Sequence, residues 1–279
     1  MPEPLLELRA VSLRAAAKTI IDEVSLTFAE GESTVVMGAS GSGKSSLVKI
    51  AAGIVPPDEG ELLVGGKPFG ALSKKEVLAF RRRSGFVFQD AALWANQSLF
   101  DNIAFPLRFH SPGLPPSELE GLVKRAAERA GLRRELSVRP SDISAGEAKL
   151  GGLARALVLD PEIIFLDDPL TDLDEGLRDG LSRLLVALGE GGKTIVLTGA
   201  TPELARRMAD FVVVIGEGRL RAAGSYEEAS AWTSTAALGL TGRLLPRRRR
   251  GSLLGAWEEA LSDDNEEAGG SVGPAPEEG

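Results

Sequence analysis

The chain has 279 residues, 43% of them hydrophobic, which is enough to bury the core of one large domain with or without an appendage. It has no cysteine and one histidine, His110, so disulfides, thiolate metal sites and a histidine metal cluster are excluded and a reducing cytoplasm is expected. A net charge of −8 argues against a dedicated nucleic-acid binder. We expect no signal peptide. We also expect no transmembrane helix, since no apolar run approaches the roughly 20 residues that span a bilayer.

Three predicted strands precede the first predicted helix. Residues 5–13 and 19–28 have the composition of strands, the second with loose alternation of apolar and polar residues. Residues 33–37, Ser-Thr-Val-Val-Met, are short, apolar and partly β-branched, which is typical of a buried strand. Residues 46–53 have helical spacing and end on a glycine. Between them lies the segment 38–45, Gly-Ala-Ser-Gly-Ser-Gly-Lys-Ser.

This segment matches the phosphate-binding P-loop, G-x-x-x-x-G-K-[ST], in the strand–turn–helix context that the motif needs. Its glycines allow a tight bend that points backbone N–H groups at phosphate oxygens, and the helix start adds a partial positive charge. Lys44 supplies a mobile positive charge for the β- and γ-phosphates, and Ser45 a hydroxyl for Mg²⁺. A chance glycine-rich turn is the alternative, and the flanking strand and helix argue against it. The predicted nucleotide-binding residues here are Gly38, Ala39, Ser40, Gly41, Ser42, Gly43, Lys44, Ser45 and Ser46.

A helical insertion is predicted in the middle of the chain. A turn and a short strand over residues 61–64, a helix over 74–83 and a strand over 85–89 come first. From about residue 90 to 142 strand signals disappear, and prolines and helical periodicity take over. The clearest helices are Ser117 to Gly131, with Ser117 as its cap and Gly131 at its end, and residues 146–159.

The next part of the chain alternates strands and helices. Residues 162–166 form an apolar run typical of a strand buried on both faces. Such alternation favours a mostly parallel sheet with helices on both faces. The further elements predicted are a helix over 177–188, a strand over 194–197, a helix over 202–208 and a strand over 211–215.

Polar residues follow two of the predicted strands at their carboxyl ends, where such sheets place ligand sites. Asp167 can hold Mg²⁺ directly or through water, Asp168 can orient a water molecule, and Gln89 can reach the same metal. An acidic helix cap is the alternative for the aspartates, and an ordinary exposed strand-end glutamine for Gln89.

The order of these motifs resembles that of the ATP-binding subunits of ABC transporters, over roughly residues 5–226. The P-loop is followed by Gln89, by the signature-like Ile-Ser-Ala-Gly-Glu of residues 143–147, by a Walker B strand at 163–167 and by the loop Thr-Asp-Leu-Asp at 171–174. The resemblance implies an α/β P-loop NTPase of the ABC ATPase type, with a mostly parallel core sheet, a small antiparallel β part and a helical insertion. It also implies ATP and Mg²⁺ as ligands and Asp168 and Gln89 in catalytic roles.

The same resemblance implies partners and a location. Two such subunits sandwich two ATP molecules, so Ser144 and Gly146 of one would close over the phosphates held by the other. The expected partners are an integral-membrane permease and a second ATP-binding subunit, either a copy or a paralogue, with no nucleic acid and with membrane contact only through the permease. The expected location is cytoplasmic, peripheral on the inner face of the cell membrane.

A narrower resemblance is to the Mla/Mce lipid-transport ATPases. It rests on residues 88–94, Phe-Gln-Asp-Ala-Ala-Leu-Trp, and on residues 99–108, which end in Phe-Pro-Leu-Arg. This implies phospholipid or lipid trafficking as the transport process.

Departures from the family pattern concern hydrolysis more than binding. Asp168 stands where most active members have Glu, which withdraws the carboxylate by about 1.5 Å. Gly199 stands where the family has its switch histidine, and Ala145 and Glu147 replace signature residues. We therefore expect a chain that binds Mg-ATP and hydrolyses it slowly, or not at all when it is alone. The alternatives are a catalytically degenerate regulatory subunit that gates a partner without turnover, and a soluble ABC protein of repair or translation, which would usually carry two cassettes or a long coiled coil.

Two domains are predicted. The nucleotide-binding domain covers residues 1–228, with its helical part at about 90–158. The extension, 229–279, is expected to be partly helical and then a disordered acidic tail. Its run Arg247–Arg250 could meet anionic lipid heads, and a solvated basic run is the favoured alternative.

Overall fold

The structure, a computed structural model, describes residues 4–16 and 18–230, which contain ten strands and eight α-helices. Two short 3₁₀ helices, Phe69–Ala71 and Pro140–Asp142, complete these elements. None of the helices in the described ranges has the length and apolar character needed to cross a membrane. Residues 231–279 lie outside the described residues, and so do the predictions for that part of the C-terminal extension, including Arg247–Arg250.

Strands and helices alternate along much of the chain, as the sequence predicts. The strands are β1 Leu6–Ala15, β2 Lys18–Phe28, β3 Ser33–Met37, β4 Glu59–Val64, β5 Lys67–Pro68, β6 Ser84–Val87, β7 Ile163–Leu166, β8 Thr194–Thr198, β9 Phe211–Gly216 and β10 Arg219–Ser225. The helices are α1 Lys44–Ala51, α2 Lys74–Arg83, α3 Leu99–His110, α4 Pro116–Arg129, α5 Ala145–Leu157, α6 Glu175–Glu190, α7 Pro202–Met208 and α8 Tyr226–Ser230.

The strands form two sheets. The larger has the order β10-β9-β3-β8-β7-β6, and its strands run parallel except for the antiparallel pair β9 and β10. The smaller is antiparallel, in the order β2-β1-β4-β5. The fold class is therefore the α/β class predicted, with a mostly parallel core sheet and a small antiparallel β part.

The larger sheet is buried on both faces, which explains why its central strands are continuous apolar runs. Alternate residues of β7 enter opposite cores: Ile164 and Leu166 pack among helices α3 to α7, while Ile163 and Phe165 pack with α1 and the antiparallel sheet. All four residues of β7 and all five of β8 are buried. Two hydrophobic layers therefore fix the strands, and their carboxyl ends share one edge.

The middle of the chain is helical, with α5 packed against α3, α4 and β6. Asn102, fully buried on α3, organises the loop before that helix. Its side chain accepts a hydrogen bond from the Trp94 N–H at 2.7 Å and donates to carbonyl oxygens of Trp94, Gln97 and Ser98. The buried amide satisfies backbone groups that would otherwise lack partners.

Some boundaries differ from the predictions. The strand expected over residues 85–89 ends at Val87, so Gln89 lies in the following turn. Ser117 is not the cap of α4, because Pro115 occupies that position and Pro116, with its fixed φ and missing N–H, begins the helix. Gly131, at φ +80°, follows the end of α4 as predicted.

Candidate functional site

The P-loop links β3 to α1 in a conformation that depends on glycine. Gly38 has φ +147°, and a Cβ there would lie 2.1 Å from the carbonyl oxygen of Ile215. Gly43, at φ +103°, precedes the first turn of α1, and a Cβ there would lie 2.7 Å from the Ile20 carbonyl oxygen. No other residue type fits these two positions without displacing backbone. The loop therefore leads directly into an open helix N-terminus, the arrangement that binds anions.

Lys44 begins α1, and its side chain folds back over the loop. Its Nζ donates hydrogen bonds to the carbonyl oxygens of Gly38 at 2.9 Å and Ala39 at 2.7 Å. Burial lowers the pKa of the Lys44 amine, and the charges of Asp168 and Asp167 partly oppose that shift. A cation is thus held beside the N–H groups of the loop, where it can meet a phosphate.

Asp167, directly after β7, is the most buried carboxylate of the site, with 1% of its surface exposed. Its Oδ1 accepts hydrogen bonds from the hydroxyls of Ser45 at 2.7 Å and Thr198 at 3.1 Å. Its Oδ2 lies 3.5 Å from Nζ of Lys49 and, in the part of the chain that the structure describes, accepts no hydrogen bond.

These donors fit a magnesium ion. Mg²⁺ prefers hard oxygen ligands and is usually bound through one or two protein oxygens, several waters and substrate phosphates. A buried carboxylate with one oxygen free of hydrogen bonds, next to a serine hydroxyl at the start of α1, offers such ligands. Asp167 and Ser45 are therefore brought together as the sequence predicts, and their role as metal ligands stays a prediction.

Asp168 is held in a left-handed backbone conformation, φ +49°, which is unusual for a non-glycine residue. Its N–H donates to the hydroxyl of Thr198 at 2.9 Å, and its Oδ1 accepts from the hydroxyl of Thr171 at 2.6 Å. The carboxylate lies against Gly199, where an added Cβ would be 2.2 Å from Oδ1. The glycine at the position of the family's histidine thus makes room for the carboxylate of Asp168.

Gln89 lies at the same sheet edge as the aspartates. In the parallel pair β6 and β7, Val87 pairs with Leu166, so Gln89, the second residue after β6, lies at the sheet edge where Asp167 and Asp168 follow β7. The side chain is exposed and, among the described residues, forms no hydrogen bond with Ser45 or Asp167. The structure brings Gln89 near the predicted metal ligands in topology but does not join it to them.

The signature-like segment forms the N-terminus of α5. The Ser144 hydroxyl accepts a hydrogen bond from the Glu147 N–H at 3.2 Å, and the Glu147 carboxylate accepts one from the Ser144 N–H at 2.8 Å. That second hydrogen bond is the main reason why the pKa of Glu147 is lowered. Gly146 faces α6, where a Cβ would lie 2.9 Å from Leu177. The charge of Glu147 is therefore engaged by the helix start of its own chain.

Ser144 and Gly146 are on a different part of the fold from the P-loop. Ser144 caps α5 and Gly146 lies in its first turn. Helix α5 packs on α3, α4 and β6, whereas α1 packs on β1, β2 and β8. The sequence prediction that these residues act on a nucleotide held by another subunit is compatible with this separation and stays a prediction.

Sequence analysis missed four residues of the site: Lys49, Thr171, Thr198 and Lys149. Thr198 could have been found, because it is a polar residue at the carboxyl end of an apolar strand, as Asp167 is. Lys49 lies in the helix after the P-loop and Thr171 in the loop 171–174 that carries the resemblance, but nothing in the pattern indicates which way their side chains point. Lys149 is buried on α5 at a position where the sequence shows an ordinary charged residue.

Comparisons with known proteins identify the family of the chain. The family model described as "ABC transporter" matches residues 21–171. The chain is 33% identical over 229 residues to the intermembrane phospholipid transport system ATP-binding protein MlaF of Haemophilus influenzae, covering 82% of this chain and 86% of that protein. It is 34% identical over 229 residues to MlaF of Escherichia coli K12, covering 81% and 84%.

A solved structure is similar as well. The chain superposes with a TM-score of 0.73 and 28% identity on the ATP-binding cassette MJ0796, covering 79% of this chain and 98% of that one. That structure is a dimer in a post-hydrolysis state bound to ADP and Pi. Its fold and that of the present chain therefore agree over most of the described residues.

Proposed function

Because the chain belongs to the ABC transporter family, we propose that it is the ATP-binding subunit of a membrane transporter that moves phospholipid and is powered by ATP. The observation that carries this proposal is the joining of P-loop and Walker B by the hydrogen bond from Ser45 to Asp167. The lipid cargo is supported by the two phospholipid-transport relatives, each matched over most of its length.

We assign the roles within one subunit as follows. The N–H groups of residues 38–46 and the Lys44 ammonium hold the phosphates of ATP. Ser45 and Asp167 hold Mg²⁺, assisted by Gln89, and the bound ion would offset negative charge on the phosphate oxygens. Asp168 orients the attacking water, and the contacts of its carboxylate with Thr171 and Gly199 set the direction in which that carboxylate points.

A second ATP-binding subunit, a copy of this chain or a paralogue, completes the site. Ser144 and Gly146 would supply the groups that close over the γ-phosphate of the other subunit. Their separation from the P-loop in the fold supports this arrangement, as does the dimeric state of the similar cassette MJ0796. Closure with ATP and opening after hydrolysis would drive the transport cycle.

An exposed apolar surface, formed by Leu78, Trp94, Phe105 and Phe109, which line one groove, fits the permease. These side chains are 38–56% exposed, and the Trp94 and Phe105 rings meet edge-on at 4.4 Å. Exposed apolar side chains in one patch mark interaction sites. We propose that the cytoplasmic face of the permease covers this surface, which would place the chain on the inner face of the membrane.

We propose that hydrolysis is slow. A carboxylate one methylene short of its usual reach, with glycine in place of the family's histidine, weakens the positioning of water, and a displacement near 1 Å costs roughly a hundredfold in rate. Ordinary steady-state turnover by the purified chain would contradict this. The comparisons do not favour the non-hydrolysing regulator, because the relatives matched over most of their length are ATP-binding proteins of a transport system.

The test is ATP-dependent phospholipid transfer by the complex of this chain with its permease, reconstituted in liposomes with a fluorescent phospholipid. Transfer should require ATP and be lost with Lys44→Ala. Lys193→Ala is the matched control, because this lysine bonds Asp160 at the opposite end of the sheet. A complex that hydrolyses ATP but transfers no lipid would overturn the proposed phospholipid cargo and leave the proposed ATPase activity standing.

A further inference from the structure

Lys149 is a buried lysine whose partners are in the loop after Walker B. It lies on α5 with 5% of its surface exposed. Its Nζ donates to the carbonyl oxygens of Asp168, at 3.4 Å, and of Thr171, at close range, and lies 4.0 Å from Oδ2 of Asp172. The ammonium thus holds both ends of the turn that contains Asp168.

Burial of the Lys149 ammonium costs free energy, so its contacts need an explanation. An ammonium removed from water loses hydration, and a methionine of similar length would fill the same space without that loss. The nearest carboxylate, that of Asp172, is 70% exposed and gives little compensation. The hydrogen bonds to backbone carbonyls are therefore what Lys149 contributes at this place.

The turn that Lys149 holds needs an external restraint. Both Asp168, at φ +49°, and Asp172, at φ +61°, have left-handed backbones, which L-residues adopt reluctantly and keep when their surroundings demand it. The backbone of Asp168 sets the direction of its carboxylate, which contacts Thr171 and Gly199. Release of the turn would move that carboxylate.

Lys149 also connects this turn to the signature motif. It lies on α5, three residues after Gly146 and five residues after Ser144, the N-cap of this helix. A shift of α5 would therefore act on the carbonyls of Asp168 and Thr171 through the ammonium.

We propose that Lys149 is a positioning residue for ATP hydrolysis. It fixes the turn of residues 168–172, so that the direction of the Asp168 carboxylate depends on the position of α5. This rests on the proposed role of Asp168 in orienting water. ATP binding at the P-loop does not involve Lys149, so its loss should affect kcat and spare KM.

The experiment compares Lys149→Met with Lys193→Met. Lys193 is the matched control, because it too bonds a backbone carbonyl and a carboxylate, both of Asp160, remote from the site. We measure kcat and KM for Mg-ATP, and hydrogen exchange of the amides at residues 170–173. Lys149→Met should lower kcat by about tenfold or more with KM within about twofold, and should speed exchange in the turn. Lys193→Met should change neither.

Lys149→Gln serves as the second variant, since it keeps a donor for the carbonyls without the charge. It should fall between wild type and Lys149→Met in both measurements, and it keeps the test open if Lys149→Met does not fold. Unchanged exchange and kcat in both Lys149 variants would overturn the proposal, as would equal losses in Lys193→Met. Absence of turnover in the wild type would overturn the proposed hydrolysis and with it the positioning role of Lys149, while the exchange measurement would still test separately whether Lys149 fixes the turn.

Discussion

The contact between Gly199 and Asp168 makes one substitution especially informative. A Cβ at Gly199 would lie 2.2 Å from Oδ1 of Asp168 and 3.1 Å from its Cα, whereas ordinary contacts begin at 3.4 Å. In Gly199→Ala the carboxylate must therefore retreat by about 1 Å and stretch its 2.6 Å hydrogen bond to Thr171. Misplacement of this size costs roughly a hundredfold in rate, so we expect kcat to fall by about that factor with KM nearly unchanged.

The matched control is Gly192→Ala. Gly192 has φ +81°, close to the +71° of Gly199, but nothing lies within 4 Å of its Cβ position. Both substitutions force alanine into a left-handed backbone, at about 1–2 kcal/mol of stability each. Urea unfolding should show losses of this size in both variants, while phosphate release should fall only in Gly199→Ala.

Two results would refute this reasoning. Wild-type kcat in Gly199→Ala would mean that the carboxylate does not act from its present position, and an equal loss of kcat in Gly192→Ala would mean that backbone strain alone explains the effect. By the same contact, Gly199→His should not restore a fast ATPase, because the new side chain would displace the Asp168 carboxylate.

Substitutions of Asp168, Asn102 and Glu76 give three further predictions. Asp168→Asn should retain ATP binding and lose about a hundredfold or more in turnover, measured by phosphate release. Asn102→Ala should lose about 2–3 kcal/mol of stability in urea unfolding, because buried backbone groups lose their partner, whereas Asn96→Ala, at an exposed position, should change little. Hydrogen bonds from Lys67 and Ser73 lower the pKa of Glu76 from 4.5 to about 2. The stabilisation of the fold by the ionised Glu76 carboxylate is therefore present above pH 4.5 and lost as the pH falls toward 2. The difference in urea midpoint between wild type and Glu76→Gln should shrink over that range.

Much of the architecture could be predicted because local signals agree with the tertiary structure. The apolar runs at 33–37 and 163–166 are buried strands, and α2 and α7 have the bounds predicted for them. The sequence does not predict the strand β10, Arg219–Ser225. Most of its side chains alternate only between exposed and half-buried, and the strand depends on its pairing with β9.

The site could be predicted in part. Motif order indicates Lys44, Ser45 and Asp167. The structure joins Ser45 to Asp167 by a hydrogen bond, while Lys44 donates to carbonyl oxygens of the P-loop. The contacts of Thr171 and Lys149 depend on the left-handed backbone at Asp168, a feature set by long-range packing and not by local sequence preference.

The most direct test of the central claim is phosphate release from Mg-ATP by the purified chain, measured beside nucleotide binding and beside Lys44→Ala. The account predicts ATP binding with slow, saturable turnover that depends on Mg²⁺ and vanishes in Lys44→Ala, while the variant keeps its fold. Turnover that persists in Lys44→Ala, or a wild-type chain that binds no ATP, would contradict it.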